Sequence, residues 1–248
     1  MTDLLNQVAL VTGASRGIGA STAQQLALRG ADVVVNYRSK GPRAEQVAQS
    51  VRSAGRRALL VQADITDDAD LRFMTAEVRR EFGRLDVLIM NASGGLEKDR
   101  AEDYAMQLNL HAQVSLLTAC LPLLSTGGRV VFVTSHWAHF YGSQPVFPAY
   151  EAVAASKYAG EQALRARIEE LQARKISLVV VSGDLIEGTI TPKLLERKQA
   201  GVIEGRRQQA GALPTVEEFA SAIVDAAAER GRPSGHTTYV GSTDELNA

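Results

Sequence analysis

Along the 248-residue chain, short runs of uninterrupted apolar residues alternate with segments in which apolar residues recur every three or four positions. The runs predict strands at 8–11, 32–36, 58–63, 86–90, 129–134, 177–182 and 237–240. The periodic segments predict helices near 17–29, 42–54, 67–82, 101–119, 149–174 and 215–229. Strands that are apolar throughout, not at every second position, are buried on both faces. The pattern therefore predicts a doubly wound parallel α/β sheet of about seven strands with helices on both faces, as one domain over residues 1–248. Thr215-Val216-Glu217-Glu218 reads as a capping box that opens the last helix. Residues 184–214 mix glycine with charge and break the periodicity, so they read as a long substrate loop or lid.

The first strand runs into Thr12-Gly13-Ala14-Ser15-Arg16-Gly17-Ile18-Gly19 and then into a helix that ends near Arg29, with Gly30 as its stop signal. Gly13 suits a turn that a β-carbon would forbid, while Gly17 and Gly19 let the backbone approach a ligand and the strand. A helix start aims free N–H groups and the positive end of its dipole at this loop, which suits a pyrophosphate. An acid at the end of the second strand would hold a free ribose 2′-hydroxyl. Here the residues are Asn36-Tyr37-Arg38, without an acid, and Arg38 and Arg16 can pair with a 2′-phosphate. NADP(H) is expected over NAD(H). Asp64 and the following Ile65 end the third strand, where the acid can meet an adenine amino group or begin a turn.

Composition narrows the class. Net charge is −1 with the charges mixed, so neither nucleic acid nor a membrane surface is expected as partner. The lone Cys120 reads as a core residue in a reducing compartment. The opening residues lead directly into a strand and no apolar run reaches ~18 residues, so a cytoplasmic protein acting on a small molecule is expected.

These residues resemble the short-chain dehydrogenase/reductase family along nearly the whole chain. Residues 12–19 match its TGxxxGxG cofactor loop, and Asp64 falls at its adenine-contacting acid. Asn91-Ala92-Ser93-Gly94 is similar to its NNAG, with Met90 in place of the first Asn. Asn109 stands in the helix that carries its catalytic Asn, Ser135 where it has its catalytic Ser, and Lys157, within Ala155-Ser156-Lys157-Tyr158-Ala159-Gly160, where it has its Lys. Ser182-Gly183 replaces its Pro-Gly, and Thr189 follows as a contact to the cofactor's phosphates or carboxamide. The resemblance implies a Rossmann-like fold and hydride transfer between nicotinamide and a carbonyl or alcohol carbon. It also implies a Tyr as proton donor, a Ser that orients the substrate oxygen, a Lys that holds the ribose and lowers the Tyr pKa, and an Asn that holds a relay water. A homotetramer or homodimer through the helices near 101–119 and 149–174 is a further implication.

One spacing departs from that family. Its Tyr lies four residues before the Lys, and here that position is Val153. Tyr150 lies seven residues before Lys157, about 10.5 Å along a regular helix against about 6 Å for the usual spacing. Tyr150 can serve if the helix begins late, with Pro148-Ala149-Tyr150 as a bent lead-in, or if a π-bulge absorbs a residue. Tyr141, His136 and His139 are the rival acids. The aromatic run His136–Pro148, which holds the single Trp, reads as a pocket wall for an apolar or aromatic substrate or as a subunit interface. Its histidines lack ligand spacing with carboxylates, so no metal is expected. The leading expectation is an NADP(H)-dependent carbonyl reductase or alcohol dehydrogenase. The alternatives are an epimerase or dehydratase on the same fold, and an NADP(H)-binding sensor or structural protein without turnover.

Overall fold

A computed structural model describes residues 3–97 and 101–243. Seven strands form one sheet in the order β3-β2-β1-β4-β5-β6-β7, and every pairing is parallel. They are β1 (Val8–Val11), β2 (Asp32–Tyr37), β3 (Ala58–Gln62), β4 (Leu85–Met90), β5 (Leu124–Ser135), β6 (Ser177–Gly183) and β7 (Thr237–Val240).

Alternate residues of the central strands serve two separate cores. Leu10, Val34, Leu88, Val130 and Val180 point to one face, packed with Leu71, Met74, Leu116 and Leu164. Val11, Val33, Ile89, Val131 and Val181 point to the other, packed with Ala23, Leu26, Val47 and Phe219. Strands buried on both sides have no polar face, which is why their runs are unbroken. The first face is covered by α3 (Asp68–Phe82), α5 (Ala112–Cys120) and α7 (Glu151–Arg165), the second by α1 (Gly17–Leu28), α2 (Gly41–Ser53) and α11 (Val216–Ala228). Cys120 is fully buried in the first core, and burial pushes its thiol up to about 12. The capping box of Thr215 and Glu218 opens α11 as expected.

Several helices differ from the sequence reading. The segment near 101–119 begins late, with a short α4 (Tyr104–Met106), a π turn at Gln107–His111 and then α5. The stretch near 149–174 is a 3₁₀ turn (Pro148–Tyr150), then α7, then a separate α8 (Ile168–Ala173). A four-residue α6 (His136–His139) follows β5 directly.

Residues 184–214 are not a long loop. They form α9 (Ile190–Lys198) and α10 (Val202–Ala210). Gly201, at a φ of +86°, turns the chain between them, and the Glu196 carboxylate accepts the N–H groups of Gly201 (2.7 Å) and Ile203 (3.1 Å). The three glycines at 201, 205 and 211 and the dense charge hide two short helices whose apolar stripe is only Pro192, Leu195 and Val202 wide. No helix among the described residues is long and apolar enough to cross a membrane.

Candidate active site

Strand β1 pairs with β2 on one side and β4 on the other, so the chain winds in opposite directions from this point. Loops that leave the C-terminal ends of adjacent strands diverge there and open a crevice. Two connected clefts occupy it, one of about 1920 Å³ over the β1–α1 loop and one of about 880 Å³ over the ends of β5 and β6.

The first cleft is floored by Gly13, Ser15, Arg16, Gly17, Ile18 and Gly19. Gly13 and Gly17 have φ of +66° and +54°, which only glycine adopts without strain. A β-carbon on Gly19 would stand 2.6 Å from both Gly13 O and Asn91 Nδ2, so this glycine is fixed by close packing. Arg16 precedes α1 in extended conformation, and no side chain caps the helix. The first-turn N–H groups therefore lack a side-chain acceptor, as an anion site requires.

Two asparagines hold the loop. Asn36 is buried, donates to Ala63 O (3.0 Å) and accepts from Gly13 N (3.4 Å). Asn91 donates to Thr12 O (2.9 Å), and Thr12 Oγ1 accepts the N–H groups of Asn91 and Ala92, both at 3.1 Å. Both amides are spent on the protein's own backbone, so these residues shape the cleft. Arg38 lines the cleft, donates to Tyr104 Oη (2.7 Å) and lies 3.8 Å from Asp64. Asp64 Oδ1 accepts from Thr66 N (3.0 Å) and Oγ1 (2.8 Å), the turn-forming arrangement, while the residue also borders the cleft beside Ile65. Ala92 and Ser93 line it too, whereas Tyr37 packs against the core beside Gly41. Lys40, Arg43 and Lys193 add three more cations that the sequence reading missed; the signal for the first two was the basic stretch just after strand β2, whereas Lys193 comes from α9.

The second cleft holds Ser135, Tyr150 and Lys157 in its wall. Ser135 closes β5, and its Oγ lies 3.0 Å from Tyr150 Oη. The late helix start makes this contact. Tyr150 ends the 3₁₀ turn that precedes the regular helix carrying Lys157. The π turn falls elsewhere, at Gln107–His111, where it turns Asn109 inward. Asn109 is 1 % exposed and donates from Nδ2 to Gly94 O (2.9 Å) and Ser156 Oγ (3.0 Å). Its carbonyl sits where a β-carbon on Gly160 would be, 2.0 Å away, so that glycine lets α7 close against the turn.

Burial sets the electrostatics. It lowers the buried Lys157 ammonium to about 8, opposed by the charge of Glu161 one turn on. Burial also raises the Tyr150 phenol above its ordinary value, and the hydrogen bond to Ser135 only partly offsets this. That direction is opposite to the lowering the resemblance implied. The rival acids are otherwise engaged. His136 Nδ1 meets Ser182 Oγ (2.8 Å), and burial lowers the ring to about 4. His139 lies between Glu161 and Tyr239, at 2.8 Å from each, and Tyr141 donates to Glu151 (2.7 Å).

Gly183 owes its place to packing, since a β-carbon there would stand 2.6 Å from the Phe219 ring. Thr189 borders both clefts, and its hydroxyl donates to Ile186 O (2.8 Å). Trp137 forms part of the wall and packs against the rings of Phe147 and Tyr150. Leu185 and Leu194 complete an apolar end that the sequence reading did not identify.

The family model described as short chain dehydrogenase matches residues 7–199. The hydroxynaphthalene reductase-like protein Arp2 of Metarhizium robertsii is 35% identical over 185 residues, 72% of this chain and 68% of that protein. The 1-cyclohexenylcarbonyl-CoA reductase of Streptomyces collinus is 34% identical over 187 residues, 73% of this chain and 65% of that protein. Among solved structures, a short chain dehydrogenase from Burkholderia cenocepacia in complex with NADP superimposes with a TM-score of 0.84 at 28% identity, over 96% of this chain and 97% of that one.

Proposed function

Because the chain belongs to the short-chain dehydrogenase family, we propose that the paired clefts work as the site of an NADP(H)-dependent reductase of small carbonyl compounds with apolar or aromatic character. The observation that carries the reading is the 3.0 Å approach of Tyr150 Oη to Ser135 Oγ beside a buried lysine.

The residues of the first cleft fit the cofactor. The uncapped start of α1 and the Gly13–Gly19 backbone suit the pyrophosphate. Arg16, Arg38, Lys40 and Arg43 suit a 2′-phosphate. The Lys157 ammonium suits the ribose hydroxyls beside the nicotinamide. When bound, NADPH supplies a hydride and leaves as NADP⁺.

Ser135 holds the substrate oxygen by a hydrogen bond. With the cofactor bound, the Tyr150 hydroxyl would give a proton to that oxygen as the carbonyl is reduced. The phenolate left behind regains a proton from solvent, with the Lys157 ammonium in the wall of the same cleft. A phenol raised by burial is fully protonated at neutral pH, and a lysine near 8 is still largely charged. Asn109 keeps the π turn closed against α7 and Gly94. The α9–α10 pair, next to Thr189, serves as the lid over the substrate side. The reading extends to a cytoplasmic homodimer or homotetramer through α5 and α7, which light scattering tests.

The test is oxidation of NADPH, followed at 340 nm, with a panel of ketones and aldehydes. Turnover that Lys157→Ala abolishes supports the reading. Tight NADPH binding without turnover of any carbonyl compound sinks it and favours a sensor.

A further inference from the structure

Asp184 follows β6, stands in the wall of the second cleft and is only 4% exposed. Its carboxylate accepts from Arg206 of α10, with Nε at 2.9 Å from Oδ1 and Nη2 at 2.9 Å from Oδ2. Leu185 N also donates to Oδ1 (2.7 Å). Arg206 is equally buried, and its Nη2 donates to Ser242 O at 2.9 Å. Its guanidinium carbon lies 5.5 Å from the centre of the Trp137 ring. Trp137 and Asp184 line the cleft, and Arg206 is not among its lining residues. The same indole meets Tyr150 edge-on at 6.3 Å.

A buried ion pair gains little stability, because desolvation offsets the attraction, and apolar residues of similar size often hold a core as well. What the pair does provide is geometry. A guanidinium fork fixed by a carboxylate presents a flat cation at one place and angle, and a flat cation orients an aromatic face. We propose that Asp184 and Arg206 are positioning residues that set Trp137 as the flat end wall of the substrate pocket, so that the chain prefers carbonyl compounds carrying a planar fused ring over small aliphatic ones. This rests on the reading of the cleft as a carbonyl reductase site. A substrate ring laid against the indole places its carbonyl toward Ser135 and Tyr150, which adjoin the same wall.

Trp137 is the single tryptophan of the chain, so its emission reports the wall directly. The probe is α-tetralone, a fused bicyclic ketone, with cyclopentanone as the small counterpart. Emission titrations are run with NADP⁺ present, so nothing turns over, and kcat and KM are measured separately with NADPH. The key variant is the double replacement Asp184→Leu with Arg206→Met, which removes both charges of the pair together. The expected result is saturable quenching of wild-type emission by α-tetralone. In the double variant the emission shifts to the red, and the ratio of kcat/KM for α-tetralone to that for cyclopentanone falls about tenfold, through KM. Arg206→Lys, which keeps the charge but not the fork, recovers only part of that ratio. Trp137→Leu, which keeps the pair, loses the same selectivity and guards against a double variant that does not fold. An unchanged ratio in the variants, or wild-type emission indifferent to α-tetralone, overturns the proposal. Absence of turnover with both ketones and with the whole carbonyl panel removes the reductase reading, and the emission titration still decides the wall's role.

Discussion

The two ends of the cleft are built by different means. At the cofactor end, hydrogen bonds between neighbouring strands do the work. Ala14 N donates to Asn36 O at 2.8 Å, Thr12 and Asn91 exchange two bonds at the ends of β1 and β4, and Ala92 N donates a third to Thr12 Oγ1. At the substrate end, side chains from distant segments meet. Ser135 closes β5, Tyr150 leaves a 3₁₀ turn, Trp137 sits on a four-residue helix, and Leu194 comes from α9. A backbone cradle accepts one conserved chemistry, a phosphate, whereas a wall of separate side chains can change its selectivity without changing the fold. The difference also appears in glycine use. Gly13 and Gly17 supply backbone angles, while Gly160 and Gly183 make room for Asn109 and Phe219.

Four substitutions separate the two ends. The largest effect is expected from Tyr150→Phe, which removes the proton donor and lowers kcat by roughly 10²–10⁴-fold, with NADPH affinity unchanged. Kinetics and calorimetry on one preparation check it. Loss of binding along with turnover would erase the distinction between the ends.

Lys157, in the wall of the second cleft, comes next. Its ammonium is charged in both folded and unfolded chains below pH 8, so the folded state there bears the whole cost of burial. From an ordinary 10.5 to about 8, that cost is about 3 kcal/mol. It is relieved as pH rises from about 8 to 10.5 and the folded chain loses the proton first. Without cofactor, Lys157→Met is therefore expected to be more stable than the wild type at pH 7, with the gain shrinking toward pH 10. Thermal unfolding across that range tests the sign. Turnover of the wild type should fall as pH rises through about 8.

A smaller loss is expected from Arg38→Ala, about 10–100-fold in affinity for NADPH and none for NADH, as for the loss of a charge-assisted hydrogen bond. Isothermal titration with both cofactors measures it, and equal losses would move the 2′-phosphate site elsewhere. The smallest is Thr215→Ala. It breaks the capping box of α11 and costs about 1 kcal/mol of stability, with kcat and affinity untouched. An altered affinity there would show that the cofactor end is less local than its hydrogen bonds indicate.

The cofactor end was largely readable before folding was considered. Gly13, Gly17 and Gly19 carry their reasons in their spacing, and Arg16 and Arg38 stand at fixed offsets from β1 and β2. Even so, Asn36 and Tyr37 could not be told apart as cleft and core residues, since both flank the same strand end. At the substrate end the sequence left two ways to accommodate the seven-residue spacing between Tyr150 and Lys157. The late helix start turned out to be the one used, and the π turn appeared around Asn109 instead. The α9–α10 helices escaped notice because their apolar stripe is too narrow to register as a period.

By itself, then, the sequence determined the parallel sheet, the glycine cradle and the charge that selects the phosphorylated cofactor. The glycine cradle lies within one strand–turn–helix unit, where spacing along the chain is spacing in space, and the sheet follows from a burial pattern repeated strand by strand. Tertiary structure alone decided that Tyr150 reaches Ser135, that Asp184 finds Arg206 across 22 positions, and that Trp137 lies against that pair. Those contacts join segments whose separation in sequence says nothing about distance until the sheet brings them together.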